Sequence, residues 1–156
     1  MTPRRKILWL DNDRGLHKLH SEVLAAKGCD VNSMETAIEA EAALRDELYD
    51  LVILDVMIPT LSNDEEEIYS PQETELGHQT GLVFWRRNRE LLTEQGVPVL
   101  VFTVRLDEGI QRAFRAAGLP EGNFSSKYEL STPKAFWNKI QSVMRPAAAA
   151  AGGSYE

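Results

Sequence analysis

Residues 51–59, Leu-Val-Ile-Leu-Asp-Val-Met-Ile-Pro, limit the fold of this chain more than any other stretch. Four consecutive aliphatic residues leave no polar face for water, so they describe a strand covered on both sides, as in the middle of a parallel sheet. Pro59 cannot join a central ladder, and the strand must end before it. Asp55 is thereby set at the carboxyl end of a core strand. In open α/β sheets that edge is where ligands bind and chemistry happens.

Two further runs have the same character. Residues 6–10, Lys-Ile-Leu-Trp-Leu, lead into Asp11-Asn12-Asp13, and residues 97–103, Val-Pro-Val-Leu-Val-Phe-Thr, end on Thr103. Pro98 is tolerable so close to the start of its strand. Weaker strand signals cover 29–33 and 123–125, the second followed by Lys127. Between the strands the apolar period changes to that of helices. Leu16, Leu19, Val23 and Leu24 mark a helix over 14–27 that Asp13 is placed to cap and Gly28 to stop. Ala37, Ala40, Ala43 and Leu44 mark one over 35–48, and Leu82, Trp85 and Leu92 one over 81–94 that Gly96 ends. A helix over 107–117 is closed by Gly118. The last, over 132–144, has Ser131 or Thr132 as cap, Pro133 in its first turn and an apolar face of Phe136, Ile140, Val143 and Met144.

Strand and helix thus alternate five times, which gives an α/β fold with a parallel sheet covered on both faces and right-handed connections. One domain over 1–145 is expected, with 146–156, rich in Ala and Gly, a flexible tail or linker outside it. Residues 60–80 carry no apolar period and include Asp64-Glu65-Glu66-Glu67. Compact domains favour connections of about 4–6 residues, so this one is either an ordered functional loop or a mobile excursion, and the acidic run reads as solvated. His17 and His20 read as surface residues, and with His78 they form no ligand constellation. Trp85 and Trp137 read as packing residues.

The formal net charge of -7 argues against a general nucleic-acid binder, which needs a basic face. Cys29, the single cysteine, cannot form an internal disulfide and fits a buried thiol in a reducing cytoplasm. No apolar stretch reaches the roughly 18 residues of a membrane span, and no secretory signal is evident.

The topology gathers Asp11, Asp13, Asp55, Thr103 and Lys127 at one sheet edge. Carboxylates so placed repel one another unless something neutralises them. Magnesium suits them, because it takes oxygen ligands and keeps several waters. Asp55 is then a nucleophile towards a phosphoryl donor, with Thr103 and Lys127 supplying donors to the phosphoryl oxygens.

These pieces, residues 7–13, Leu54-Asp55 with Pro59, Val101-Phe102-Thr103, and Phe124 three residues before Lys127, resemble the receiver domain of two-component response regulators. The resemblance covers about residues 5–145. It implies a doubly wound (βα)5, flavodoxin-like fold with strand order 2-1-3-4-5. It implies that Asp55 is the phosphoacceptor, Thr103 the hydroxyl that moves to the phosphoryl group, Lys127 its ionic partner and Phe124 the switch aromatic. Asp11, Asn12, Asp55 and the Met57 carbonyl, with Asp13 beside them, would hold the magnesium ion. The implied donor is a histidine kinase or histidine phosphotransfer protein, and the implied readers are an output protein or a second copy. The chain also departs from the family's pattern. Asn12 stands where a carboxylate is usual, Val104 where a small residue is usual, and Tyr128 where proline is usual. About 18 additional residues separate Asp55 from the next helix, and about two lie between Gly118 and Lys127.

Three functions compete. One is a phosphorylatable switch, signalling rather than enzymatic. The second is a pseudo-receiver that docks proteins with weak or no phosphorylation, favoured by Asn12, Val104 and Tyr128. The third is an aspartate-nucleophile phosphatase, disfavoured because Met57 stands where such enzymes carry a second aspartate.

Overall fold

The computed structural model describes residues 4–60, 63–105 and 107–153. Five strands, β1 (Arg5–Leu10), β2 (Cys29–Met34), β3 (Leu51–Leu54), β4 (Val99–Thr103) and β5 (Phe124–Ser126), form one parallel sheet. Their order is β2-β1-β3-β4-β5, as expected. Among the described residues seven helices connect and flank them: α1 (Arg14–Ala26), α2 (Ala37–Asp46), α3 (Asn63–Ile68), α4 (Pro71–Thr74), α5 (Thr80–Gln95), α6 (Glu108–Ala116) and α7 (Pro133–Gly153). The helix α7 therefore runs into the Ala/Gly stretch, while 154–156 lie outside the described residues.

Alternation along the central strands divides the core in two. Leu8, Leu10, Val52, Leu54 and Val101 face one way, onto Ala40 and Leu44 of α2, Leu82, Trp85 and Leu92 of α5, and Ile110 and Phe114 of α6. Ile7, Trp9, Ile53, Leu100 and Phe102 face the other way, onto Leu24 of α1 and Phe136, Ile140 and Val143 of α7. Every residue of β3 is fully buried, which is why its sequence shows no polar alternation. The Cys29 thiol is buried and free. No helix among the described residues is long and apolar enough to cross a membrane.

Four local expectations change. Asp13 occupies the N-cap position of α1, but its side chain makes no capping bond; only its carbonyl accepts from the His17 N–H, at 3.2 Å. Leu19 is exposed, and the Leu16 side chain lies outside what is described. His20 is not on the surface: it shares a helical face with Leu24, has no exposed area, and packs against Phe102 and Phe136 at centroid distances of 6.0 and 4.3 Å. Its Nε2 donates to the Leu130 carbonyl at 2.8 Å, since a carbonyl can only accept.

The fourth concerns the acidic stretch within 60–80, whose described residues 63–80 carry two short helices and several buried side chains. Tyr69 is fully buried and its hydroxyl donates to Glu41 of α2. Glu41 also accepts from Arg87 Nε at 2.7 Å and Asn88 Nδ2 at 3.1 Å, both on α5. Burial pushes the Glu41 carboxyl up, but these donors outweigh it and hold the group below its ordinary value. Thr74 and Thr80 are buried, and Thr80 Oγ1 donates to the Ile58 carbonyl at 2.5 Å. In the acidic run Glu65 is buried and Glu67 exposed, while the Asp64 and Glu66 side chains lie outside what is described.

Candidate functional site

Each strand end delivers its polar residue one step past the apolar ladder. The Asp11 N–H bonds to the Met34 carbonyl, that of Asp55 to the Leu10 carbonyl, and that of Lys127 to the Thr103 carbonyl, all at 3.0 Å. The ladder therefore fixes the backbones of Asp11, Asp55 and Lys127 before any side chain is considered.

The helix α5 fixes Asp55 from the other side. The Gly81 N–H donates to the Val56 carbonyl at 2.9 Å. A Cβ at Gly81 would lie 2.0 Å from the Asp55 carbonyl oxygen and 2.8 Å from Val56 Cα. Only glycine lets the helix start so close to the acid. A glycine inside an apolar helical pattern is the sequence signal for such contact, and here it reads only as a helix boundary until the fold is seen.

Asp11, Asp55 and Lys127 come together in a nearly dry setting, at 2%, 4% and 6% exposure. Lys127 Nζ lies 2.8 Å from Asp11 Oδ2 and 3.0 Å from Asp55 Oδ2, with Asp13 Oδ2 further off at 3.7 Å. The second oxygen of each acid is held by backbone: Asp11 Oδ1 accepts from the Asp13 N–H at 2.8 Å, and Asp55 Oδ1 from the Val56 N–H at 2.7 Å. Trp9 Nε1 donates to Asp11 Oδ2 at 3.3 Å, tying the site to the core.

Two buried anions thus share one ammonium. Burial, and then the nearby Asp55 charge, push the Asp11 carboxyl up to about 6, against the opposing pull of Lys127. Burial alone would lower Lys127; the Asp55 and Asp11 carboxylates and their hydrogen bonds outweigh it and raise the group above its ordinary value. The His17 imidazole, beside the site against Trp9 at 4.2 Å, is pushed down by burial and by Lys127.

The other expected residues stand around this trio. Asn12 and Asp13 are exposed at its rim, and Met57 is half-buried. Thr103 is fully buried, and its Oγ1 accepts from the Arg105 N–H at 3.1 Å. Phe124 is half-buried at the other side of β4 and meets Phe114 of α6 edge-on, with centroids 5.8 Å apart. Val104 and Tyr128 are exposed.

Among the described residues no three carboxylate, imidazole or thiol groups form a ready-made metal cage. The pair Asp11 and Asp55 nevertheless fits magnesium, for which one or two carboxylates suffice when waters complete the shell. The excess of one negative charge in the trio is what a divalent cation would relieve. Arg105, whose N–H meets the Thr103 hydroxyl, and Gly81, against the Asp55 carbonyl, are neighbours of the site that the sequence reading does not single out.

No protein-family model matches the chain, and no curated protein does. Solved structures do. A response regulator receiver domain protein (CheY-like) from Methanospirillum hungatei is similar at 17% identity and a TM-score of 0.72, over 94% of this chain and 98% of that one. A two-component response regulator from Clostridium difficile is similar at 18% identity and a TM-score of 0.68, over 91% and 97%. The chemotaxis response regulator CheY4 of Vibrio cholerae is similar at 19% identity and a TM-score of 0.67, over 90% and 98%. The chain has the fold of the CheY-like response regulator receiver domain, the resemblance that its sequence motifs carry.

Proposed function

We propose that this domain is a phosphorylatable receiver in which Asp55 accepts a phosphoryl group from a histidine kinase or histidine phosphotransfer protein. The observation that carries the reading is the pairing of two buried strand-end carboxylates with one ammonium, beside the buried hydroxyl of Thr103. An Asp55 carboxylate oxygen attacks phosphorus, the new P–O bond replaces the P–N bond of the donor's phosphohistidine, and the imidazole leaves with a proton from solvent. Magnesium, held by Asp11 and Asp55 with Asn12, Asp13 and the Met57 carbonyl at the rim, would offset charge on the transferring group. Lys127 keeps its ammonium on the acceptor and pairs with the phosphoryl oxygens once Asp55 is esterified. Thr103 donates a hydrogen bond from its hydroxyl to one of those oxygens, and the backbone after β4 follows it. The rearranged surface then meets an output protein or a second copy, in a cytoplasmic setting.

A second reading, a docking module with weak or no phosphorylation, is favoured by one observation. Lys127 already satisfies both carboxylates, and Asn12 adds no charge to draw a cation. Acetyl phosphate with magnesium distinguishes the two. The parent protein is expected to gain one phosphoryl mass and Asp55→Asn none. Equal uptake by both, or none by either, would count against phosphorylation at Asp55.

A further inference from the structure

Arg105 makes three contacts that run in different directions. Its backbone N–H donates to Thr103 Oγ1 at 3.1 Å. Its Nη1 donates to the His78 carbonyl at 2.8 Å, and its Nε to Asp107 Oδ2 at 3.1 Å. Asp107 in turn caps α6 through the Ile110 N–H at 3.0 Å. One residue therefore touches the buried hydroxyl, the start of α6 and the turn at 75–79.

That turn is a strained piece of backbone. Glu75, Leu76 and Gly77 follow one another with φ of 51°, 58° and 90°, and the first two are not glycine. Side chains resist the left-handed region, so such a run persists only where its surroundings hold it. Leu76 is left 81% exposed. From inside, the turn is held by the Ile58 N–H donating to the Gly77 carbonyl at 3.0 Å and by the Gln79 N–H donating to the Thr74 carbonyl at 2.7 Å. From outside it is held by the Arg105 guanidinium.

We propose that Arg105 is a positioning residue that couples the Thr103 hydroxyl to the 75–79 turn, so that phosphorylation of Asp55 loosens the turn and changes the surface carrying Leu76. The inference rests on the phosphoacceptor reading of Asp55. When the Thr103 hydroxyl moves to a phosphoryl oxygen it abandons the Arg105 N–H, and the backbone at 105 follows the hydroxyl or finds another acceptor. A displacement of about 1 Å takes a 2.8 Å contact out of hydrogen-bond range. The His78 carbonyl is then released, and the left-handed run loses its outer support.

Amide hydrogen exchange of the full chain tests this, with and without acetyl phosphate and magnesium, in the parent, Arg105→Ala and Arg105→Lys. Intact mass reports the modified fraction of each sample separately. In the parent, exchange of the 75–79 amides is expected to rise severalfold on modification. Arg105→Ala should show the raised exchange before modification and no further rise after it. Arg105→Lys keeps the charge but loses the two-pronged fork, and should behave as the alanine variant does. Unchanged 75–79 exchange in a parent sample shown by mass to be modified would overturn the coupling. So would an Arg105→Ala turn as protected as the parent's. If no sample takes up a phosphoryl group, the phosphoacceptor reading fails and the coupling with it, while the unmodified Arg105→Ala comparison still decides whether Arg105 holds the turn.

Discussion

At the scale of single residues, the site is set by the charge balance around Lys127, which pairs with both Asp11 and Asp55. Asp11 is the costly member of the trio, since burial and Asp55 hold its carboxyl near 6, above its ordinary 3.8. Below about pH 4 the folded and unfolded chains both carry its proton. Between there and about pH 6 the unfolded chain releases the proton and the folded one keeps it. The contribution to stability is thus complete below the ordinary value and is lost as pH rises through about 6. Removing the charge should therefore stabilise the fold where Asp11 is ionised. Asp11→Asn, compared with the parent by urea denaturation without divalent cations, is expected to be about 1–3 kcal/mol more stable at pH 7.5. The gain should shrink towards zero at pH 4. A variant less stable than the parent at pH 7.5 would mean that the ion pair with Lys127 outweighs burial and the Asp55 charge.

At the scale of elements, the site depends on how closely α5 approaches the end of β3. The contact is backbone to backbone at Gly81, so a methyl group there cannot be accommodated by rotating a side chain. Gly81→Ala is expected to lower stability by about 1–3 kcal/mol, the cost of overpacking a well-filled contact. It should also slow phosphoryl uptake, because relief requires moving Asp55 or Val56. Stability and uptake equal to the parent's would show that α5 can shift without disturbing the acid. The neighbouring 60–80 segment shows where sequence pattern loses its power. Its anchors are Tyr69 on Glu41 and Thr80 on Ile58, single residues without a repeat, so no period announces them. The central strands were legible for the opposite reason, as continuous burial leaves an unbroken aliphatic run. His20 lay between these cases. Its spacing with Leu24 put it on the apolar face of α1, but a polar residue type argued for the surface, and the Leu130 carbonyl that pairs with its Nε2 lies 110 residues away.

At the scale of the whole molecule, five strand–helix units follow from alternation and the strand order from the resemblance to receiver domains, and the sheet shows both. Convergence of Asp11, Asp55 and Lys127 follows as well, since parallel strands in this order deliver their carboxyl ends to one edge. Which polar groups engage one another was not legible. That Lys127 bridges both acids, that the Asp13 side chain makes no capping bond, and that the Arg105 N–H holds the Thr103 hydroxyl all depend on side-chain geometry just past the strand ends. The central claim, that this edge exists to phosphorylate Asp55, is tested most directly by locating the modified residue. An acyl phosphate is reduced by borohydride to an alcohol, which leaves homoserine in place of aspartate. After treatment with acetyl phosphate and magnesium, reduction and digestion, peptide mass spectrometry is expected to find homoserine at position 55. Homoserine at another position, or at none, would contradict the account.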